Sequence, residues 1–503
     1  MNQLSKQIKI AGIKTEKLTT QPQRINLKQS IKYLFSFLLL IITGATSGQI
    51  LEVPPYIQPG NASDLHHEKK VVIWQTDSTS AHFTVEFRKG KNFDEEHGIH
   101  QGKVERVKLE FNGKVSWLYR AYLDHLEFDH DYAYRVKAET RLFAQNSFRT
   151  RTHHHKTKFA ALGDCGTGSP GQAAVAYQIF QRKPDFALLT GDLVYSNGQA
   201  SEYKGRFFQQ YLAPVATINR GGPLMQQIPF YTVLGNHDIR ANDLREYADG
   251  MAYFYYMDLP RNGPNPGYAP EVLGSSKQLA AFKERTADRH PKISNYSFRH
   301  GNVHMVVLDA NTYVNPQDSV LTNWLRKEFK HHKNEWRIVS YHHPAFNSSN
   351  AHYYYQVMRV LSPLFEELGV DLVLTGHVHN YQRTHPLKFV PEKDKKGRWL
   401  IGSDGRVDGT FTLDQKFDGK TVTKPDGIIY VVTGAGGAQL YDAEISNKPS
   451  MWEHSPRSNW VPYTTKLISD VHSFTWVETD GHVLKLSQID SKGNLLDEIT
   501  MTR

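Results

Sequence analysis

The stretch DLVLTGHVHNYQR, residues 371–383, runs from an apolar segment straight into two histidines set two apart, His377 and His379. An apolar run that stops abruptly at glycine and polar residues reads as a buried strand. With 25 histidines in 503 residues, one GHxH decides nothing by itself. The decisive fact is that further runs end the same way: KFAALGD, DFALLTGD, FYTVLGNHD, VHMVVLDAN and RIVSYHH. Helical patterns lie between them, in AAVAYQIFQRK, SVLTNWLRKEFKHH and VMRVLSPLFEELG. Buried strands alternating with helices predict an α/β layered domain over 157–503. FTWVETDGHVLKLSQID and LLDEITM are read as its closing strands. Two stretches rich in Gly, Pro and Tyr, 240–292 and 440–465, read as surface loops near the site.

In layered α/β folds ligands bind outside the carboxyl ends of the strands. The strand ends collect Asp164 in GDCG, Asp192 and Tyr195 in GDLVY, Asn236 and His237 in GNHD, His342 in VSYHH, and His377 and His379 in GHVH. Each pair alone is weak, because GD and GN are ordinary turn chemistry. Two carboxylates, a phenol, an amide and three imidazoles together exceed what turns and satisfied core histidines account for.

In this order the motifs resemble those of the purple acid phosphatases, a branch of the calcineurin-like metallophosphoesterases with the pattern DxG, GDxxY, GNH, VxxH and GHxH. The resemblance implies a four-layer α/β/β/α catalytic sandwich. It implies Asp164, Tyr195 and His379 as ligands of one metal, Asn236, His342 and His377 as ligands of a second, and Asp192 bridging both. A carboxylate, a phenolate and an imidazole suit Fe(III); an amide oxygen and two imidazoles suit a divalent Zn, Fe or Mn. A metal-bound hydroxide is then expected to attack a small phosphate monoester, with His237 and His352 as the catalytic histidines at the phosphate or leaving oxygen. Ala351 departs from the pattern, standing where many members carry the first of a histidine pair. The alternative enzyme reading is a phosphodiesterase or nucleotide pyrophosphatase on the same two metals. A binding protein on a dead hydrolase scaffold would show lost ligands, and all seven are present. Asp238 is expected to orient a neighbour, His343 to point to the other side of its strand, and Cys165 to be a packing residue. GAGG at 434–437 lacks the dinucleotide-binding spacing and reads as a tight loop near the metals.

Residues 53–152 read as an all-β sandwich, from VVIWQTD, AHFTVEFRKG, VERVKLEFNG, SWLYRAYLDHL, YAYRVKAET and FAQNSFRTRT. They resemble the fibronectin type III-like domain of larger family members. The following HHH, 153–155, reads as a solvated linker. Residues 1–47 read as a signal peptide: a basic segment, the apolar Leu34–Ile42, then TGATSG, with cleavage near Ser47 to Gln49. Nine apolar residues fall short of the ~20 that span a bilayer, so the expectation is export to the periplasm or outside, with no stable membrane partner after cleavage. This leader holds six Lys and Arg24 against Glu16, hence +6 of the formal +9. The remaining charge of about +3 gives no ground for a nucleic-acid partner. The single Cys165 allows no intrachain disulfide.

Overall fold

The computed structural model describes residues 50–62, 65–94, 98–240, 244–264, 267–272, 275–330, 335–349, 351–441 and 462–503. The leader over 1–47 and most of 440–465 lie outside them.

Seven antiparallel strands between Leu51 and Arg149 form the N-terminal all-β region. The long strand His100–Phe111 pairs through residues 103–111 with Lys114–Leu126, and through 100–102 with Phe83–Lys89. It therefore carries the chain from one half-sheet to the other. Trp74, Val72, Tyr119, Val85, Tyr134 and Phe148, drawn from both halves, pack into one cluster, as the two inner faces of a sandwich do. The opposite face supplies Val53, Tyr56, Val71, Ile73 and Leu118 to the core of the rest of the chain. Alternation along each strand sends successive side chains to the two faces, so the region is sealed onto its neighbour by apolar packing.

Two further sheets follow. One holds Phe230–Thr232, Phe186–Leu189, Lys156–Leu162 and the C-terminal strands Ser473–Asp480, Val483–Asp490 and Leu495–Thr502. The closing strands thus complete this domain as expected. The other sheet runs Tyr296–His300, Val303–Val307, Trp336–Ser340, Leu372–Thr375, Ile429–Thr433, Tyr381–Thr384, Thr464–Ile468. Met305, Val307, Ile338, Leu372, Leu374 and Val431 face the first sheet, while Val306, Val339, Val373 and Tyr430 pack under helices on the outer side. Both faces are covered, which is why these strands read as unbroken apolar runs. The helix Ser319–Glu328 is capped by Asp318, which accepts from Val320 N and Leu321 N (2.8 and 3.1 Å), and it buries Leu321, Trp324 and Leu325. On the other side Pro170–Arg182 starts at Ser169, whose hydroxyl accepts from Gln172 N (3.1 Å), and buries Val175, Ala176 and Ile179. The result is the α/β/β/α sandwich.

Two expectations change. VMRVLSPLFEELG begins as a 3₁₀ turn, Val357–Leu361, and becomes α-helical only at Ser362–Glu367; Pro363, lacking an N–H, fits only a helix's first turn. The stretch 240–292 is not all surface loop. Met251–Met257 is almost wholly buried, with Tyr253 bonded to Thr232 and Tyr256 to Gln75 across the seam with the N-terminal sheet. Ser276–Thr286 is a helix behind a capping box, Ser275 Oγ accepting from Gln278 N and Gln278 Oε1 from Ser275 N.

Candidate metal centre

Lys156–Leu162, Phe186–Leu189 and Phe230–Thr232 run parallel, with Leu162 level with Leu189 and Leu189 with Thr232. In the second sheet Ser340 is level with Leu374, and Thr375 with Val432. Gly163 N donates to Thr433 O (2.9 Å) and locks the two sets of strand ends together. The loops after these ends carry all seven expected donors into one buried cluster.

Close approach there depends on missing side chains. A Cβ on Gly235 would sit 2.2 Å from Asp192 Oδ1, and one on Gly191 (φ 103°) 2.4 Å from His342 Nδ1. Asp164, Asp192 and His377 themselves hold φ of 56°, 49° and 68°, a left-handed region that costs a non-glycine residue energy and concentrates at functional sites.

Tyr195 Oη lies 3.0 Å from Asp164 Oδ1, 3.1 Å from Asp192 Oδ2 and 3.0 Å from His379 Nε2. His342 Nε2 lies 3.1 Å from Asn236 Oδ1, 3.3 Å from His377 Nδ1 and 3.3 Å from Asp192 Oδ1. Asp192 thus turns one oxygen to each group of three, and Asp192, His342 and His377 offer ligand atoms within 4.8 Å of one another. Asp164, Tyr195 and His379 thus lie on one side of Asp192, and Asn236, His342 and His377 on the other.

His342 Nδ1 lies 2.8 Å from Thr190 O and His379 Nδ1 2.7 Å from Gln439 O. A carbonyl only accepts, so both Nδ1 atoms donate and both Nε2 atoms face the cluster. The single phenolic proton of Tyr195 can serve one of its three acceptors. Its other two contacts at 3.0–3.1 Å then have no proton between them, which a cation there would satisfy. The residues present fit metal ions.

The electrostatics agree. Burial, then the charges of Asp164 and Asp192, push the Tyr195 phenol well above its ordinary value. Burial likewise raises the Asp164 carboxyl far above the usual range. For Asp192 burial works in the same direction, but the adjacent His342 overrides it and holds the carboxyl well below that range. Two carboxylates, a phenol and three imidazoles under 10% exposed put six ionisable groups where burial penalises any charge that is not paired.

Asp238 orients its neighbours, as expected: its carboxylate accepts from Leu193 N (3.0 Å), Gly235 N (2.9 Å) and Tyr203 Oη (3.2 Å), tying two ligand loops together. Half-buried His237 donates its backbone N–H to Asp192 Oδ1 (2.8 Å) and sets its ring 4.6 Å from that of Tyr195. His352 lies over His377, ring centroids 4.0 Å apart. Cys165 is fully buried, and Gly434 packs against Asp164, where a Cβ would come within 2.7 Å of Oδ2. His343 departs from expectation. It lies beyond the strand's last residue, Ser340, where alternation no longer applies, and its ring sits 4.2 Å from that of His377. Sequence reasoning missed Tyr441, stacked on His379 at 4.1 Å and 6°. It also missed the Thr190 and Gln439 carbonyls, which no side-chain pattern could reveal.

Residues 157–381 match the calcineurin-like phosphoesterase family. Purple acid phosphatase 18 of Arabidopsis thaliana is 26% identical over 341 residues, 66% of this chain and 66% of that protein. A phosphoenolpyruvate phosphatase of Allium cepa is 27% identical over 390 residues, 72% of this chain and 71% of that protein. A purple acid phosphatase from seeds of yellow lupin (Lupinus luteus) superposes with a TM-score of 0.58 at 18% identity, covering 89% of this chain and 74% of that one; at that identity the likeness speaks for the fold. Residues 157–381 thus carry a calcineurin-like phosphoesterase domain, and its likeness to purple acid phosphatases supports a phosphoesterase hydrolase. Among the described residues no helix is long and apolar enough to cross a membrane.

Proposed function

We propose that the chain is an exported, binuclear acid phosphatase that hydrolyses small phosphate monoesters. In this reading the leader over 1–47 is removed, residues 53–152 are a fibronectin type III-like domain, and 157–503 form the catalytic domain. The carrying observation is the two-sided contact of Asp192, with Oδ2 toward Tyr195 and Oδ1 toward His342. Asp164, Tyr195 and His379 would hold Fe(III) on one side; Asn236, His342 and His377 would hold divalent Zn, Fe or Mn on the other. Two such ions supply Lewis acidity and lower the pKa of a bound water.

The chain's own groups handle the ester. His237 Nδ1 lies 2.7 Å from the Ser196 carbonyl, which fixes that nitrogen as a donor and leaves Nε2 for a ligand. Protonated, Nε2 donates to a phosphoryl or leaving oxygen, and His352 does the same from above His377. The test is a panel of p-nitrophenyl phosphate, bis-p-nitrophenyl phosphate and ATP on the metal-loaded protein. Preference for p-nitrophenyl phosphate is expected; preference for the diester or ATP would replace this reading with the phosphodiesterase or pyrophosphatase one.

A further inference from the structure

Away from the metal cluster, a cleft of about 560 Å³ opens between the N-terminal sheet and residues 254–289. Lys69, Lys103 and Arg120 reach it from the sheet, and Arg261, Arg285 and Arg289 from the opposite wall. Three of these six have their own carboxylates: Lys69 with Asp124 (3.1 Å), Lys103 with Glu105 (2.7 Å) and Arg261 with Asp288 (2.8 Å). Arg120 and Arg289 share a single one, Asp258, at 3.8 and 3.3 Å. Arg285 donates to the carbonyls of Gly250 (2.9 Å) and Ala248 (2.7 Å) and lies over the Tyr255 and Phe111 rings. It has no carboxylate within 4.0 Å among the described residues. Six cations therefore meet four carboxylates.

The imbalance is greatest where water is least available. Arg120 is 7% exposed, and its Nε makes no hydrogen bond among the described residues. The Nε of Arg261 is buried and unbonded as well. Burial, and after it the charge of Arg289, press on the Arg120 guanidinium in the direction of losing its proton. Asp258 brings a single negative charge to two guanidiniums, so the group keeps a net positive charge. Guanidinium forks are matched by tetrahedral and planar oxyanions, which accept from two donors at once. A volume of this size falls within the range of small-molecule sites.

We propose that this cleft binds a phosphate-type dianion, either the free ion or the phosphoryl group of a small organic molecule. It is separate from the seven-ligand cluster and shares no residue with it. The site needs no metal, so it does not stand or fall with the reading of the catalytic centre.

The experiment is calorimetric titration of the full-length, metal-loaded protein with inorganic phosphate, and in a second arm with phenylphosphonate. Two phosphates per chain are expected, of which chelating the metals removes one. Arg285→Met keeps the stacking on Tyr255 and removes the charge; it should weaken the chelation-resistant phosphate about tenfold, the weight of one charge-assisted hydrogen bond. Turnover of p-nitrophenyl phosphate should be unchanged. If that variant fails to fold, Lys69→Gln with Lys103→Gln at the exposed rim decides, with the same loss expected. Binding of phenylphosphonate to the resistant site identifies a phosphoryl-group site, and its exclusion a free-ion site. No chelation-resistant phosphate in the wild type, or one that neither variant weakens, overturns the proposal.

Discussion

The Tyr195 hydroxyl oxygen stands 3.0 Å from Nε2 of His379, a nitrogen whose lone pair is exposed because Nδ1 is committed to the Gln439 carbonyl. A phenol can donate to that lone pair or to one of the two aspartates beside it, but not to all three. The crowding is resolved when Tyr195 gives up its proton and a cation takes the shared space.

Tyr195→Phe removes only that oxygen and leaves the ring against His237. The iron-loaded, oxidised wild type should show a visible phenolate-to-metal band, and the variant should stay folded and lose it. Some hydrolysis should survive, since Asp164, Asp192 and His379 remain. A wild type without any such band, measured by absorption spectroscopy, would mean that Tyr195 does not ligate Fe(III).

Asp192→Asn replaces the carboxylate that faces both groups with a neutral amide. Metal affinity should fall by more than about 100-fold, beyond the cost of an outer-shell change, with activity falling in parallel. Full metal content by elemental analysis would show that the bridge is misplaced.

Asp238→Asn tests the support beneath the ligands. Its carboxylate accepts three hydrogen bonds, two from the backbones of ligand loops, and an amide has one acceptor oxygen. Metal affinity should drop roughly 10- to 100-fold with a near-native circular dichroism spectrum. Unchanged metal titration curves would contradict the role.

Glu68 concerns stability instead. It is 3% exposed and pairs with Lys70 and Arg151, both also buried. Burial pushes its carboxyl up, but Lys70 and Arg151 outweigh that, and the net shift is below 4.5. A depressed folded-state value means this contribution is present at neutral pH and is lost as pH falls below 4.5 through the folded value. Glu68→Gln leaves two buried cations with reduced compensation and should cost about 3–5 kcal/mol, read as a lower midpoint in urea unfolding at pH 7. A midpoint within error of wild type would show that the triad contributes nothing net.

The strand ends were readable because each buried parallel strand is a continuous apolar run that stops where its carboxyl end meets the site; GDLVY, GNHD and GHVH carry both the turn and the ligand. Where tertiary packing overrides composition, the reading failed. Met251–Met257 is Tyr-rich and lies in a Gly- and Pro-rich stretch, yet it is buried because the N-terminal sheet covers it. The capping box at Ser275–Gln278 was a usable signal for the helix that follows. Nothing comparable announces Tyr441 or the Thr190 carbonyl, whose roles exist only once distant segments meet.

Metal stoichiometry of the purified, iron- and zinc-loaded chain tests the central claim most directly. Elemental analysis after exhaustive dialysis should find two ions per chain, falling to one or none in Asp192→Asn. One ion or fewer in the wild type would contradict the binuclear centre, however well the seven side chains converge.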